Sequence, residues 1–272
     1  MYLFSLPATK RTRLNLSSNN IPVKTHKLFY RTCCFLLIAG VFLTASSCKK
    51  SDNPVVSETG TMTDVEGNVY KTVKIGNQWW MAENLKVKSY RNGVSLQNRI
   101  SQTSTPADWN ASTTGAYTQY DQGTNPPGLL YNGYAVHDSN NIAPAGWHIP
   151  SDEEWKTLET IIGMSRENAD KSGWRGSNEG DKLKTAGTQY WQPYESVWAT
   201  NDGGFCATAG GSRIFDGLYS TPSGIVFMGF WWTSTMNQDN ETWYRYLDYK
   251  KSGVFRSHES NSYGFSIRCV KD

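Results

Sequence analysis

The chain has 272 residues, with 27 Lys/Arg against 24 Asp/Glu, a formal charge of +3. Six of those basic residues and none of the acidic ones fall in the first 47, so the remainder carries 21 against 24, a charge of −3. A nucleic-acid partner needs a clustered basic face; no such run is present, and that class is excluded.

In the leader, Lys10, Arg11, Arg13, Lys24, Lys27 and Arg31 precede the apolar run CCFLLIAGVFL at 33–43, which ends in Thr44, Ala45, Ser46 and Ser47. A basic stretch, an apolar core and small exit residues form a secretory signal. The run is shorter than the ~20 residues of a membrane span. Cys48 follows directly, and ASSC at 45–48 resembles the lipobox of bacterial lipoproteins. That resemblance implies lipid on the Cys48 thiol, a membrane partner through the anchor, and an outer-membrane location. The next stretch, KKSDNPVVSETGT at 49–61, is polar without an apolar period and reads as a tether. The expected organisation is a signal at 1–47, a tether at 48–61 and one domain at 62–272.

The domain reads as α+β with little helix. Asn68–Ile75 alternates Val69, Lys71, Val73 and Ile75 against Tyr70, Thr72 and Lys74, a strand pattern. Gly76-Asn77 predicts a tight turn into Gln78–Met81. The stretch at 88–146 is rich in Asn, Thr, Gly and Pro, and is expected to be pinned by its own aromatics, Trp109, Tyr117, Tyr120 and Tyr131. PSDEEWKTLETIIGM at 150–164 predicts a helix with Ser151 and Glu154 as a capping box and Trp155, Leu158 and Ile162 on one face. A short second helix is expected near Asp181–Thr185. Strands follow at Ile225–Phe230, Trp243–Tyr249, Val254–Ser257 and Phe265–Val270, with a turn at 250–253.

Adjacent residues on a strand face opposite ways, so the tandem pairs Trp79-Trp80 and Trp231-Trp232 each send one indole into each of two layers. The chain has 11 Trp and 15 Tyr, and most are expected to hold loops to the sheets, a minority facing a ligand. Cys33 and Cys34 leave with the signal. Cys206 and Cys269 remain, either as a disulfide or as two separate buried thiols. His137, His148 and His258 have no metal-ligand spacing, and no Gly-x-Ser-x-Gly elbow occurs. Asp152 and Glu153 suit the dipole at a helix start. Asp239, Asn240 and Glu241 lead into Trp243, a candidate calcium or ligand site with an aromatic beside it; the alternative is a solvated loop.

Six blocks in order carry a wider resemblance: IGNQWWMAENL (75–85), GLLYNGYAV (128–136), APAGWHIPSDEEW (143–155), AGGSR (209–213), GFWWTST (229–235) and GFSIRCV (264–270). Together they resemble the Fibrobacter succinogenes major paralogous domain of secreted and lipid-anchored bacterial proteins. The resemblance implies a C-type-lectin-like or sulfatase-modifying-factor-like fold: small antiparallel sheets, one or two helices and long aromatic-pinned loops. It implies no agreed activity. The triplets with which calcium-dependent C-type lectins hold sugar are absent, and of the cysteine pair of the sulfatase-modifying enzymes only Cys269 sits in the matching region. The expected function is a cell-envelope lipoprotein with a non-catalytic binding or adhesion domain facing a glycan or a cell-surface protein. The alternatives are an enzyme of the sulfatase-modifying type and a structural part of a surface appendage. No cofactor is expected, with calcium the one candidate.

Overall fold

The computed structural model describes residues 58–100, 105–119, 128–220 and 227–272. The leader, Cys48, Tyr120 and Ile225 lie outside the described residues. Strand β1 (Thr59–Thr63) pairs antiparallel with β2 (Val69–Ile75), which turns through Gly76-Asn77 into β3 (Gln78–Met81), as the alternation predicts. Gly76 sits at φ +60°, and a side-chain carbon there would stand 2.4 Å from Ile161 Cδ1, so the turn needs glycine. β1 lies partly inside the stretch expected to be tether. Its alternation is weak because Met62 is its one buried residue.

The first sheet runs β1-β2-β3-β13-β7, with β7 at Trp147–His148 and β13 at Val270–Lys271. The second runs β8 (Gly173–Arg175), β11 (Val254–Glu259), β10 (Thr242–Asp248) and β9 (Met228–Met236). The third holds β12 (Gly264–Phe265), β6 (Leu130–Asn132), β5 (Ala116–Thr118) and β4 (Gln97–Asn98), with β4 and β5 parallel. The expected strand at Phe265–Val270 is therefore two short strands in different sheets. Between them Ser266 exchanges backbone hydrogen bonds with Phe230 and Trp232, and Ile267 O accepts from Leu85 N–H.

Five helices occur among the described residues where one or two were expected: α1 (Pro106–Asn110), α2 (Gly133–His137), α3 (Asp152–Ile161), α4 (Arg166–Asp170) and α5 (Glu179–Leu183). α3 carries the predicted capping box on Ser151 and Glu154. Single-turn helices are too short to display a 3.6-residue apolar period. Their caps are local instead: the side chains of Thr105, Asn132 and Ser165 each accept from a first-turn N–H. None of the described helices is long and apolar enough to cross a membrane.

Two apolar clusters share the strands. One holds Tyr70, Met81, Trp232, Tyr244, Phe265 and Cys269; the other holds Val73, Trp80, Trp155, Trp231, Leu247 and Val254. Trp79 packs against the first and Trp80 enters the second, while Trp231 and Trp232 divide in the same way. Both β9 indoles find acceptors for their N–H groups: Trp231 donates to Asn84 Oδ1 (2.9 Å) and Trp232 to Tyr131 O (2.8 Å). Trp109 donates to Ser262 O (2.7 Å), and Tyr131 OH to Val87 O (2.7 Å), so these aromatics pin the 88–146 stretch as expected.

A buried ionic cluster fixes α3 on the second sheet. Asp152 and Glu159, two turns apart, both face that sheet. Glu159 accepts from Arg175 (2.6 and 2.9 Å) and Arg245 (2.6 Å). Asp152 accepts from Arg245 (2.8 Å) and Arg256 (2.8 and 2.7 Å). Asp152 is thus an internal acid; Glu153 alone stays at the surface, against Arg166. Burial by itself would raise the Asp152 pKa, but the Arg256 and Arg245 guanidiniums outweigh it and hold the carboxyl well below the usual range.

Removing one partner leaves a buried charge unpaired, so Glu159→Gln is expected to cost about 3–5 kcal/mol in urea unfolding. The Asp152 contribution is complete above the unfolded carboxyl pKa of about 3.9 and is lost as pH falls toward the depressed folded value. The urea midpoint should therefore drop between pH 4 and 2, and Asp152→Asn, weaker at pH 7, should show a flatter profile across that window.

Candidate functional site

The stretch from Lys184 to Thr200 has no period-2 or 3.6 pattern, and Gly187 and Pro193 interrupt it. It forms a loop that closes on its own start. Lys184 N–H ends α5 on Gly180 O, and Thr200 N–H returns to Asp181 O at 2.9 Å. Inside the loop Val197 N–H donates to Tyr194 O (2.9 Å) across a tight turn with Glu195 at φ +41°. Trp191 is buried and donates its indole N–H to Ala207 O at 2.9 Å.

The loop and Tyr249, from the turn after β10, enclose a cavity of about 340 Å³. Its walls are Trp191, Tyr194, Trp198 and Tyr249, with Thr188, Gln192 and Glu195 as polar groups. Buried Lys184 lines it too, held by Asp181 Oδ1 (3.0 Å) and Lys251 O (2.7 Å). Burial lowers the Lys184 pKa, and the Asp181 carboxylate opposes that shift. The ammonium groups of the chain already cover ring faces here. Lys184 Nζ lies 5.4 Å from the Trp191 ring, and Lys250 Nζ 5.3 and 5.2 Å from those of Tyr194 and Tyr249.

Trp198 is different: it is 69% exposed. Trp174, the next most exposed tryptophan at 40%, is used in a cross-strand ladder, its ring 5.2 Å from Tyr246 and 5.3 Å from Phe255. The cluster Tyr190, Trp191, Tyr194 and Trp198, four aromatics in nine residues, was the sequence signal for this cleft. The stretch matches no secondary-structure template, so the run of aromatics alone does not show a site.

The candidate calcium loop is organised as a turn. Asn237 Oδ1 accepts from the N–H groups of Asp239 and Glu241, both at 2.9 Å, and Asn240 takes φ +60°. Asp239 and Asn240 are exposed, whereas Glu241 Oε2 pairs with His258 Nδ1 at 2.6 Å. Trp243 has the Arg256 guanidinium 3.7 Å over its ring and His258 at its edge. Among the described residues no group of three or more His, Cys, Asp or Glu gathers as a metal site would require.

Cys206 and Cys269 are free thiols, so the disulfide alternative does not hold here. Cys269 belongs to the first apolar cluster and Cys206 packs against the second. Burial pushes the Cys269 thiol far up, which removes its nucleophilic form. Arg268, on the opposite face from Cys269, is fully buried as well. It donates to Asn84 Oδ1 (2.8 Å), to Cys206 O (2.6 Å) and to Phe205 O, and burial lowers its pKa. His148 bridges Asp272 (2.7 Å) and Glu154 (2.8 Å); burial would lower its pKa, and those bonds raise it. His148 thereby ties the C-terminus to α3.

The family model described as the Fibrobacter succinogenes major domain matches residues 73–271. No curated protein and no solved structure matches the chain.

The two cleft tryptophans should separate in a stability measurement. Trp191→Ala is expected to cost about 3–5 kcal/mol in urea unfolding, as for a buried aromatic. Trp198→Ala should stay within about 0.5 kcal/mol of the parent, as for an exposed side chain.

Proposed function

The chain belongs to the Fibrobacter succinogenes major domain family, and from that premise we propose that it is a recognition protein of the cell envelope. It is a lipoprotein, anchored in the outer membrane through Cys48, whose C-type-lectin-like domain binds or adheres to a partner without catalysis. Family membership by itself assigns no activity, and fold does not determine it.

The observation that carries this reading is the preformed cleft beside Trp198. The loop is closed by hydrogen bonds of Thr200 to Asp181, Val197 to Tyr194 and Trp191 to Ala207, which give it a shape that favours a preformed site. An indole left outside a framework that encloses most of its others marks an interaction surface. The sheets and aromatic-pinned loops are compatible with a lectin-like scaffold. The separated thiols weigh against chemistry of the sulfatase-modifying type.

Two measurements test the reading. Cells fed an alkyne-tagged palmitate should label the chain, and Cys48→Ala should lose the label and leave the membrane fraction. The purified Cys48→Ala chain should then co-sediment with isolated envelope fragments. Unlabelled parent protein would refute the anchor, and failure to sediment with any envelope fraction would refute recognition.

A further inference from the structure

We propose that the cleft between the 184–199 loop and Tyr249 binds a neutral pyranose residue of a glycan, with Trp198 as its stacking platform and no calcium. The proposal rests on the recognition reading above and adds the ligand class and the residues.

The cavity, about 340 Å³, lies at the lower end of the ~300–1,000 Å³ range of small-molecule sites, room for one or two sugar rings. Charge on the walls narrows the occupant. A cationic ligand would use the aromatic faces, but the Lys184 and Lys250 ammonium groups already occupy those of Trp191, Tyr194 and Tyr249. An anionic ligand would need a free cation on the wall. Lys184 is neutralised by Asp181, Lys250 lies over the Tyr194 and Tyr249 rings and is not a lining residue, and Glu195 contributes a carboxylate to the lining. A wholly apolar ligand would strip water from Thr188, Gln192 and Glu195 without replacing their hydrogen bonds.

A neutral pyranose meets all three conditions. Its axial C–H face lies on the open indole of Trp198, and its hydroxyls exchange hydrogen bonds with Gln192, Glu195 and Thr188. Calcium has no place in this arrangement, because Glu195 is the only carboxylate among the lining residues and the ion takes 6–8 oxygen ligands. The loop's internal hydrogen bonds hold the aromatic walls in place, so little ordering is required on binding.

The test is calorimetric titration of the Cys48→Ala chain with a panel of neutral gluco-, manno- and galacto-configured oligosaccharides, in calcium and in EDTA. At least one should bind equally in both. Trp198→Ala should weaken that binding tenfold or more, with an unchanged melting temperature, and Gln192→Ala should weaken it several-fold. Asn240→Ala, in the loop outside the cleft, should leave it unaltered. Binding that EDTA abolishes, or that survives Trp198→Ala, overturns the proposal. Envelope sedimentation that persists while no neutral oligosaccharide binds also overturns it, and leaves recognition standing with another ligand. Absence of sedimentation and of sugar binding together removes both readings.

Discussion

Strands covered by apolar layers on both faces penalise a polar side chain that does not bring an internal partner with it. Most of this domain's architecture follows from that constraint. Consecutive strand residues both face a core, so Trp79 and Trp80 divide between the two clusters, and Trp231 and Trp232 repeat the division on β9. Three enclosed indoles find their acceptors in distant segments: Asn84 for Trp231, the Tyr131 carbonyl for Trp232 and the Ser262 carbonyl for Trp109. The tryptophans thereby convert irregular chain into fixed chain without extensive helix.

The same rule disciplines the charges. Asp152 and Glu159 enter the interior because three guanidiniums from the second sheet meet them. Such a cluster contributes little net stability relative to an apolar replacement. Its contacts tie α3 at two positions, two turns apart, to β8, β10 and β11. Arg268 solves the problem another way, giving its donors to the Asn84 side chain and to backbone carbonyls of the 205–206 loop. A residue between β12 and β13, next to the buried thiol, thus ties the C-terminal segment to that loop.

The cleft stands apart from this economy. The 184–200 loop is anchored by backbone and indole hydrogen bonds, yet leaves Trp198 in water. A fold that encloses most of its indoles and sets this one beside a concavity separates recognition from architecture. The 237–243 stretch, with a more suggestive composition, uses Asn237 and Glu241 to shape its own turn and to hold His258.

The elements whose rules are local were legible in the residues: the 69–81 hairpin, the capping box of α3, the splitting of the tandem tryptophans and the family blocks. Their causes lie within a few residues along the chain, in alternation, turn chemistry and cap spacing. Single-turn helices, the division of the 265–270 strand between two sheets and the burial of Asp152 and Arg268 were not legible. Each depends on which distant group arrives as a partner. The cleft belongs to that second class: Trp191, Tyr194 and Trp198 were visible as a run of aromatics, but only tertiary contact decided that two would be enclosed or paired and one left open. Local patterning sets which face a side chain takes; whether that face meets solvent, a carboxylate or another sheet is settled by packing between segments far apart in the chain.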